Sequence, residues 1–534
     1  MKPVIYQVLP RLYGNRNATC KPDGTIFENG CGKMNDFTPE VLKEIRLLGA
    51  THIWYTGLIA HATKTDYSQY GLPKNDGSVV KGRAGSPYAI RDYYDVDPDL
   101  AVDVPHRMDE FQQLVWRTHK EGLKFILDFV PNHVAREYLS LQCPKGIEAL
   151  GAEDDTSQSL GENNNFYYLP GDTLQIGTYT ETPAKVTGND VWSSRPGEND
   201  WYETVKLNYH SRSTWQKMLD ILLFWAGKGV DAFRCDMAEM VPVDFWKWVI
   251  PQIKEFYPNI IFIAETYDPN QYHRYIHEGK FDFLYDKVGL YDTLRSIMRN
   301  ENSCHNITPC WQRLNGIEGN MLNFLENHDE QRIAYPDFAG DAKKGKAGMI
   351  IASTINKGPV MIYNGQEFGE KALDEEGFSG GDGRTSIFDY WTIPTVNRWL
   401  KGKLKKEEKD LQNFYQKLLN ICKNESAIAS GDFFDLEYAN FNNPNFNTNK
   451  QYAYIRKDSK TLFIIVANFA DEDANLGINL PYHAFEYLNI INGKEQKFEE
   501  LLSGEKGKAI LSSEKQFNIK VPKNEGAIIK IKLC

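Results

Sequence analysis

No stretch of this 534-residue chain is apolar for long enough to cross a membrane, so a spanning helix is excluded. Positive charge is in deficit too: 61 Lys and Arg face 72 Asp and Glu, a net charge of -11. Phosphate contacts need clustered Lys and Arg, which excludes nucleic acid as the main partner. The densest basic stretch, RWLKGKLKKEEKD, is broken by acids and reads as a solvated helix face. The N-terminus, MKPVIYQVLPRLYGN, has neither the apolar core nor the cleavage site of a leader peptide and reads as a strand. Cysteine is limited to eight residues. Cys20 with Cys31, and Cys304 with Cys310, are close enough in polar loops to be candidate bridges, while Cys235 reads as a buried thiol. Those pairs tip the reading towards a periplasmic or secreted protein whose leader is absent from this sequence, with the cytoplasm as the alternative. No internal repeat or low-complexity tract stands out.

What is present is a long alternation. The length implies one large domain with smaller ones attached. Strand-like runs start at Val4, His52, Lys124, Val230, Ile260, Phe283, Asn320 and Val360, separated by helical patterns such as Pro39–Leu48, which Thr38 caps. That order predicts an α/β fold, an eight-stranded TIM barrel. One connection is far too long. The excess after strand three is rich in Gly, Asn, Asp and Thr and predicts a small inserted domain over the barrel mouth. Beyond residue 428 the runs QYAYIRK, TLFIIVANF and GAIIKIKL follow one another without helices, predicting a C-terminal antiparallel β-sandwich. The expected division is barrel 1–134, insertion 135–202, barrel 203–428 and sandwich 429–534.

Three carboxylates close short apolar runs: Asp236 in GVDAFRCDMAEM, Glu265 in IIFIAETYD and Asp329 in NFLENHDEQR. An acid ending an apolar strand is costly to bury and packs poorly. Singly, each reads equally well as a turn residue. Asp236 and Glu265 are roughly 30 residues apart, one strand-plus-helix unit, and Asp329 follows about two units later. Strands four, five and seven would then end on one rim, where barrel active sites lie. Aromatics make up 13% of the chain, and exposed Trp and Tyr suit the apolar C–H face of a sugar.

Six segments in order, DFVPNH (Asp128–His133), TVKLN (Thr204–Asn208), DAFRCD (Asp231–Asp236), the Glu265 segment, ENHD (Glu326–Asp329) and GPVMIYNGQE (Gly358–Glu367), resemble the α-amylase family of retaining glycoside hydrolases. The resemblance covers nearly the whole chain. It implies an enzyme cleaving α-glucosidic bonds, α-1,4 before α-1,6, in starch-derived glucans, maltooligosaccharides or cyclodextrins. Asp236 would be the nucleophile, Glu265 the acid/base and Asp329 the stabiliser of the oxocarbenium-like transition state. Arg234 would share a strand face with Asp236. His133, His328 and Tyr88 would contact the sugar, and Asp92, Asp128 and Asn132 would organise loops. His61 reads equally as site or scaffold. No cofactor is required for the chemistry.

Two departures bear on specificity. Lys206 stands where many relatives carry a calcium-binding Asp, so calcium is not expected there; Asn132 is the remaining candidate ligand. The Lys resembles the branch containing neopullulanase and cyclomaltodextrinase, although the sequence starts at strand one, without the N-terminal domain usual in cyclomaltodextrinases. Glu239 and Met240 replace the Lys and His common in starch-cleaving amylases, making Glu239 the candidate acceptor-side contact. A glucanotransferase using the same site, or a glucan-binding protein without catalysis, are the alternative readings.

Overall fold

The computed structural model describes residues 1–373 and 381–533, so Cys534 lies outside the described residues. Eight parallel strands make the central sheet: β1 Val4–Val8, β2 His52–Tyr55, β3 Lys124–Phe129, β4 Ala232–Cys235, β5 Ile261–Ala264, β6 Phe283–Tyr285, β7 Met321–Leu322 and β8 Val360–Tyr363. Each pairs with its sequence neighbour, β8 returns to β1, and the bridge Asn323–Val360 closes the ring. The strands are apolar almost throughout because helices cover one face and the barrel interior the other. The predicted TIM barrel is present.

Local signals place the helices. Thr38 accepts the Val41 N–H, and Pro39–Leu48 ends at Gly49, whose φ of 124° disfavours a side chain. Arg107–Lys120 buries Phe111, Leu114 and Val115 against the barrel.

Between β3 and β4 the chain leaves the barrel. The antiparallel ladder of His133–Ala135 with Thr204–Lys206 forms the neck of this excursion. Beyond it lie only short pairs, such as Leu174–Ile176 with Tyr179–Glu181.

The C-terminal region carries a six-stranded antiparallel sheet, with Gln451–Lys457, Thr461–Asn468 and Glu525–Lys532 at its centre. Period-2 alternation serves two cores. Tyr452, Tyr454, Phe463 and Ile465 join the barrel core, whereas Ala453, Ile455 and Ile464 pack with Leu476 and Phe517 of a second, two-stranded ladder. Arg456 seals the junction by donating to the backbone oxygens of Ile355, Ile428 and Gly431.

The candidate disulfides are not formed. The thiol of Cys31 donates to the carbonyls of Gly32 and Asp99, and that of Cys310 lies 3.3 Å from the Asn306 carbonyl. Cys304 is buried at the start of a helical turn instead of lying in a polar loop.

Candidate active site

Asp236 and Glu265 are the first residues past β4 and β5, and Asp329 sits on the loop after β7. All three line one cleft of 230 Å³, together with Tyr88, His133, Lys81, Trp201, Glu203, Tyr267 and Phe388. Arg234, two residues before Asp236, is fully buried beneath it. One Nη lies 2.7 Å from Asp236 Oδ1 and the other 2.9 Å from Glu265 Oε2, so a single guanidinium holds both acids. Its remaining surroundings are a third acid, Asp128 at 3.4 Å, and the rings of Trp54, Tyr88 and Tyr285, 5.1–5.6 Å from Cζ. Removing that cation would leave buried acids uncompensated, a cost of about 3–5 kcal/mol.

Met237 follows Asp236 in the left-handed region, with φ 43° and ψ 42°. A non-glycine residue pays roughly 1–2 kcal/mol for this. The turn aims its N–H at Glu265 Oε2, 2.7 Å away. Tyr267 donates its hydroxyl to the other oxygen, Oε1, also at 2.7 Å. Burial pushes Glu265 above the usual carboxylate range against the pull of Arg234, and the neighbouring Asp236 adds to the rise. Burial raises Asp236 as well, with Arg234 opposing. Asp329 is raised most clearly, by enclosure and by Glu265. Asp128, which accepts the Trp54 indole N–H, is lifted by burial to about 7.

Burial keeps His133 and His328 neutral. Burial lowers His328, and Arg234 lowers it further. Gln7 donates to His328 Nδ1 at 2.8 Å, which puts the ring proton on Nε2, facing Tyr88 Oη at 2.6 Å and Asp329 Oδ2 at 3.1 Å. Burial takes His133 down to about 3, with Lys206 and Lys81 contributing.

Two candidates stand elsewhere. Glu239 does not line the cleft; its carboxylate accepts the backbone N–H groups of Tyr267 and Asp268 and so shapes the loop after β5. His61 is buried between Asp97 and Arg11, behind the cleft wall. Sequence reading missed Tyr267, Lys81, Glu203, Trp201 and Phe388. Only Tyr267 had a signal, its position two residues after Glu265.

Lys206 pairs with Asp190, and the neighbouring Asn132 donates to the Gly188 carbonyl while its Oδ1 has no hydrogen-bond partner among the described residues. One amide oxygen beside an ammonium does not suit calcium, which takes roughly 6–8 oxygen ligands.

The family model for the alpha amylase catalytic domain matches residues 7–431, and that for the alpha amylase C-terminal all-beta domain matches 441–532. The chain belongs to the alpha-amylase family. It is thus a glycosidase by family, and the predicted resemblance holds. Alpha-amylase 3 of Dictyoglomus thermophilum is 24% identical over 82% of this chain and 83% of its own length. A cyclomaltodextrin glucanotransferase of Geobacillus stearothermophilus is 22% identical over 80% of this chain, which spans about half (55%) of that longer relative. A noncanonic maltogenic alpha-amylase from Thermotoga neapolitana shares the fold with a TM-score of 0.67 at 20% identity, covering 100% of this chain and 99% of its own.

Proposed function

We propose that this family member hydrolyses α-glucosidic bonds, α-1,4 foremost, in starch-derived maltooligosaccharides or cyclodextrins by double displacement. The grip of one guanidinium on both Asp236 and Glu265 carries the reading, because two carboxyl groups held side by side in one cleft are what a retaining double displacement needs. Asp236 attacks the anomeric carbon and forms the glycosyl-enzyme. Arg234 limits the rise that burial imposes on Asp236 and so favours the ionised nucleophile.

Glu265 protonates the departing oxygen and later takes a proton from water. Its Oε2 accepts the Met237 N–H and faces the Arg234 guanidinium, while Oε1 accepts the Tyr267 hydroxyl. Asp329 meets the sugar hydroxyls from across the cleft, held from behind by His328, whose Nε2 faces both Asp329 and Tyr88, and Tyr88 offers the sugar a ring face. No cofactor enters these steps. The Lys206 segment favours the neopullulanase and cyclomaltodextrinase branch.

Fresh product from maltotriose should appear as the α-anomer by proton NMR; early β-anomer would refute the double displacement. The similarity to a glucanotransferase keeps a second reading, in which a sugar replaces the attacking water. Products longer than maltotriose in the same incubation would favour transfer.

A further inference from the structure

A second hollow, of 370 Å³, lies away from the catalytic cleft and shares no lining residue with it. Gly319 and Asn320 lead into β7, and Ile355, Asn356 and Lys357 lead into β8, so this wall belongs to the rim opposite the catalytic carboxylates. The C-terminal region supplies the facing wall through Asp432, Phe433 and Tyr487. Arg456, spent on the backbone oxygens of Ile355, Ile428 and Gly431, forms part of the buried floor. Trp311, at the end of the helix Ile307–Gln312, is fixed in place. Its indole N–H donates to Asp435 at 3.0 Å, and Phe433 packs edge-on with ring centres 5.0 Å apart. The wall beside it is bare. A Cβ on Gly316 would have nothing within 4 Å, and one on Gly319 would meet only Lys357, at 3.8 Å. The volume falls within the roughly 300–1,000 Å³ of pockets that hold small ligands.

The lining selects its ligand by charge and by shape. Lys357 stands against Glu318 and Asp432, so a strongly charged ligand of either sign would meet a like charge. A neutral ligand with many hydroxyl groups would find acceptors in the two acids and a donor in the ammonium. Trp311 and Tyr487 add rings that suit the apolar C–H face of a sugar. The aromatic lining also continues out of the hollow. Tyr487, 66% exposed, lies 6.0 Å from the ring of Phe434, and Phe434 lies 6.3 Å from Tyr438, itself 58% exposed. A row of rings suits a chain of sugars better than a single one. Resting on the glycosidase reading, we propose that this hollow and the row from Tyr487 to Tyr438 form a second, non-catalytic site for an α-glucan chain. A polymer held there is tethered to the enzyme, which raises its effective concentration at the cleft. An oligomer too short to reach both sites gains nothing from the tether.

The test titrates maltoheptaose into Asp236→Asn, which prevents turnover, in a calorimeter. Two classes of site per chain are expected. In that background Tyr487→Ala should weaken one of them about fivefold, the worth of a lost ring contact, and leave the other unchanged. Gly319→Gln, which puts a side chain into the hollow and removes no contact, should do the same. With Asp236 intact, both variants should match the unaltered enzyme on maltotriose and lose several-fold in rate on granular starch. Circular dichroism confirms that each variant is folded. A single site in Asp236→Asn, or two sites that neither folded variant moves, would overturn the inference, and cleavage of maltotriose by the unaltered enzyme would leave the glycosidase reading standing. No binding to Asp236→Asn together with no cleavage of maltotriose, cyclodextrin or starch by the unaltered enzyme would overturn both.

Discussion

Strand β4 begins and ends beside an aspartate, and the two have opposite fates. Asp231, at the lower rim, is only partly enclosed and accepts from the Phe125 N–H, Lys124 and His119 at 2.7–2.9 Å. Burial pushes it up, but those donors outweigh burial and hold it below the usual carboxylate range. Asp282, ahead of β6, likewise accepts from a strand N–H, that of Phe262, and from a lysine, Lys254. At the upper rim Asp236 and Glu265 share one arginine, with Asp329 near enough to feel both, and all three are raised. The residue type is the same; the ratio of donors to acids differs. A satisfied carboxylate staples two strands, whereas a carboxylate short of donors is primed to exchange a proton or attack carbon.

Neutralising the upper rim should give the largest effect. Asp236→Asn should lower kcat on maltooligosaccharides on the order of 10⁴-fold, since no other group can form the covalent intermediate. The variant should keep or gain thermal stability, because it removes one acid from a site with too few cations. Retained turnover, or a collapsed fold, would place the chemistry elsewhere. Glu265→Gln should follow with a loss of about 10²–10⁴-fold, the worth of a positioned acid. With a substrate bearing a good leaving group, which needs no proton, it should lose far less. A uniform loss across leaving groups would deny Glu265 its role.

Tyr267 tests the protonation scheme more gently. Its hydroxyl lowers Glu265, so Tyr267→Phe should leave that acid protonated to higher pH. The alkaline limb of the pH–rate profile should then move upward, with kcat falling roughly fivefold for the lost hydrogen bond. In the unaltered enzyme both limbs should lie above ordinary carboxylate values, because burial raises Asp236 and Glu265 together. An alkaline limb that stays put in Tyr267→Phe would show that the hydroxyl does not speak to the acid.

How much of this was legible depended on periodicity. Barrel strands β6 and β8 could be bounded to the residue because apolar runs end at Asp286 and Asn364, and the three carboxylates stood out as the wrong chemistry at the end of such runs. Arg234 followed from a two-residue offset on a strand. The cleft wall was not legible. Lys81, Trp201, Glu203 and Phe388 lie on long connections, where sequence spacing sets no direction for a side chain, and only the meeting of three loops brings them together. Glu239 shows the converse: the family resemblance implied a sugar contact at its position, but past the turn at Met237 its carboxylate goes to the backbone N–H groups of Tyr267 and Asp268. The disulfide expectation rested on closeness in sequence, while burial gave those thiols carbonyl partners instead.

The smallest expected effect sharpens the comparison from below. Asp231→Asn should leave kcat unchanged and cost about 1 kcal/mol of stability at neutral pH, because Lys124 and His119 are largely solvated and screen the loss. The pH dependence carries the sign. Asp231 binds its proton less tightly in the folded chain than at its usual value of 3.8, so its contribution is present above that value and fades as pH falls through the depressed one. Urea midpoints of Asp231→Asn and the unaltered protein should therefore differ at neutral pH and converge in strong acid. A constant gap across that range would mean that Asp231 stabilises β4 through its shape and not its charge. The lower rim would then teach nothing about how the upper one is poised.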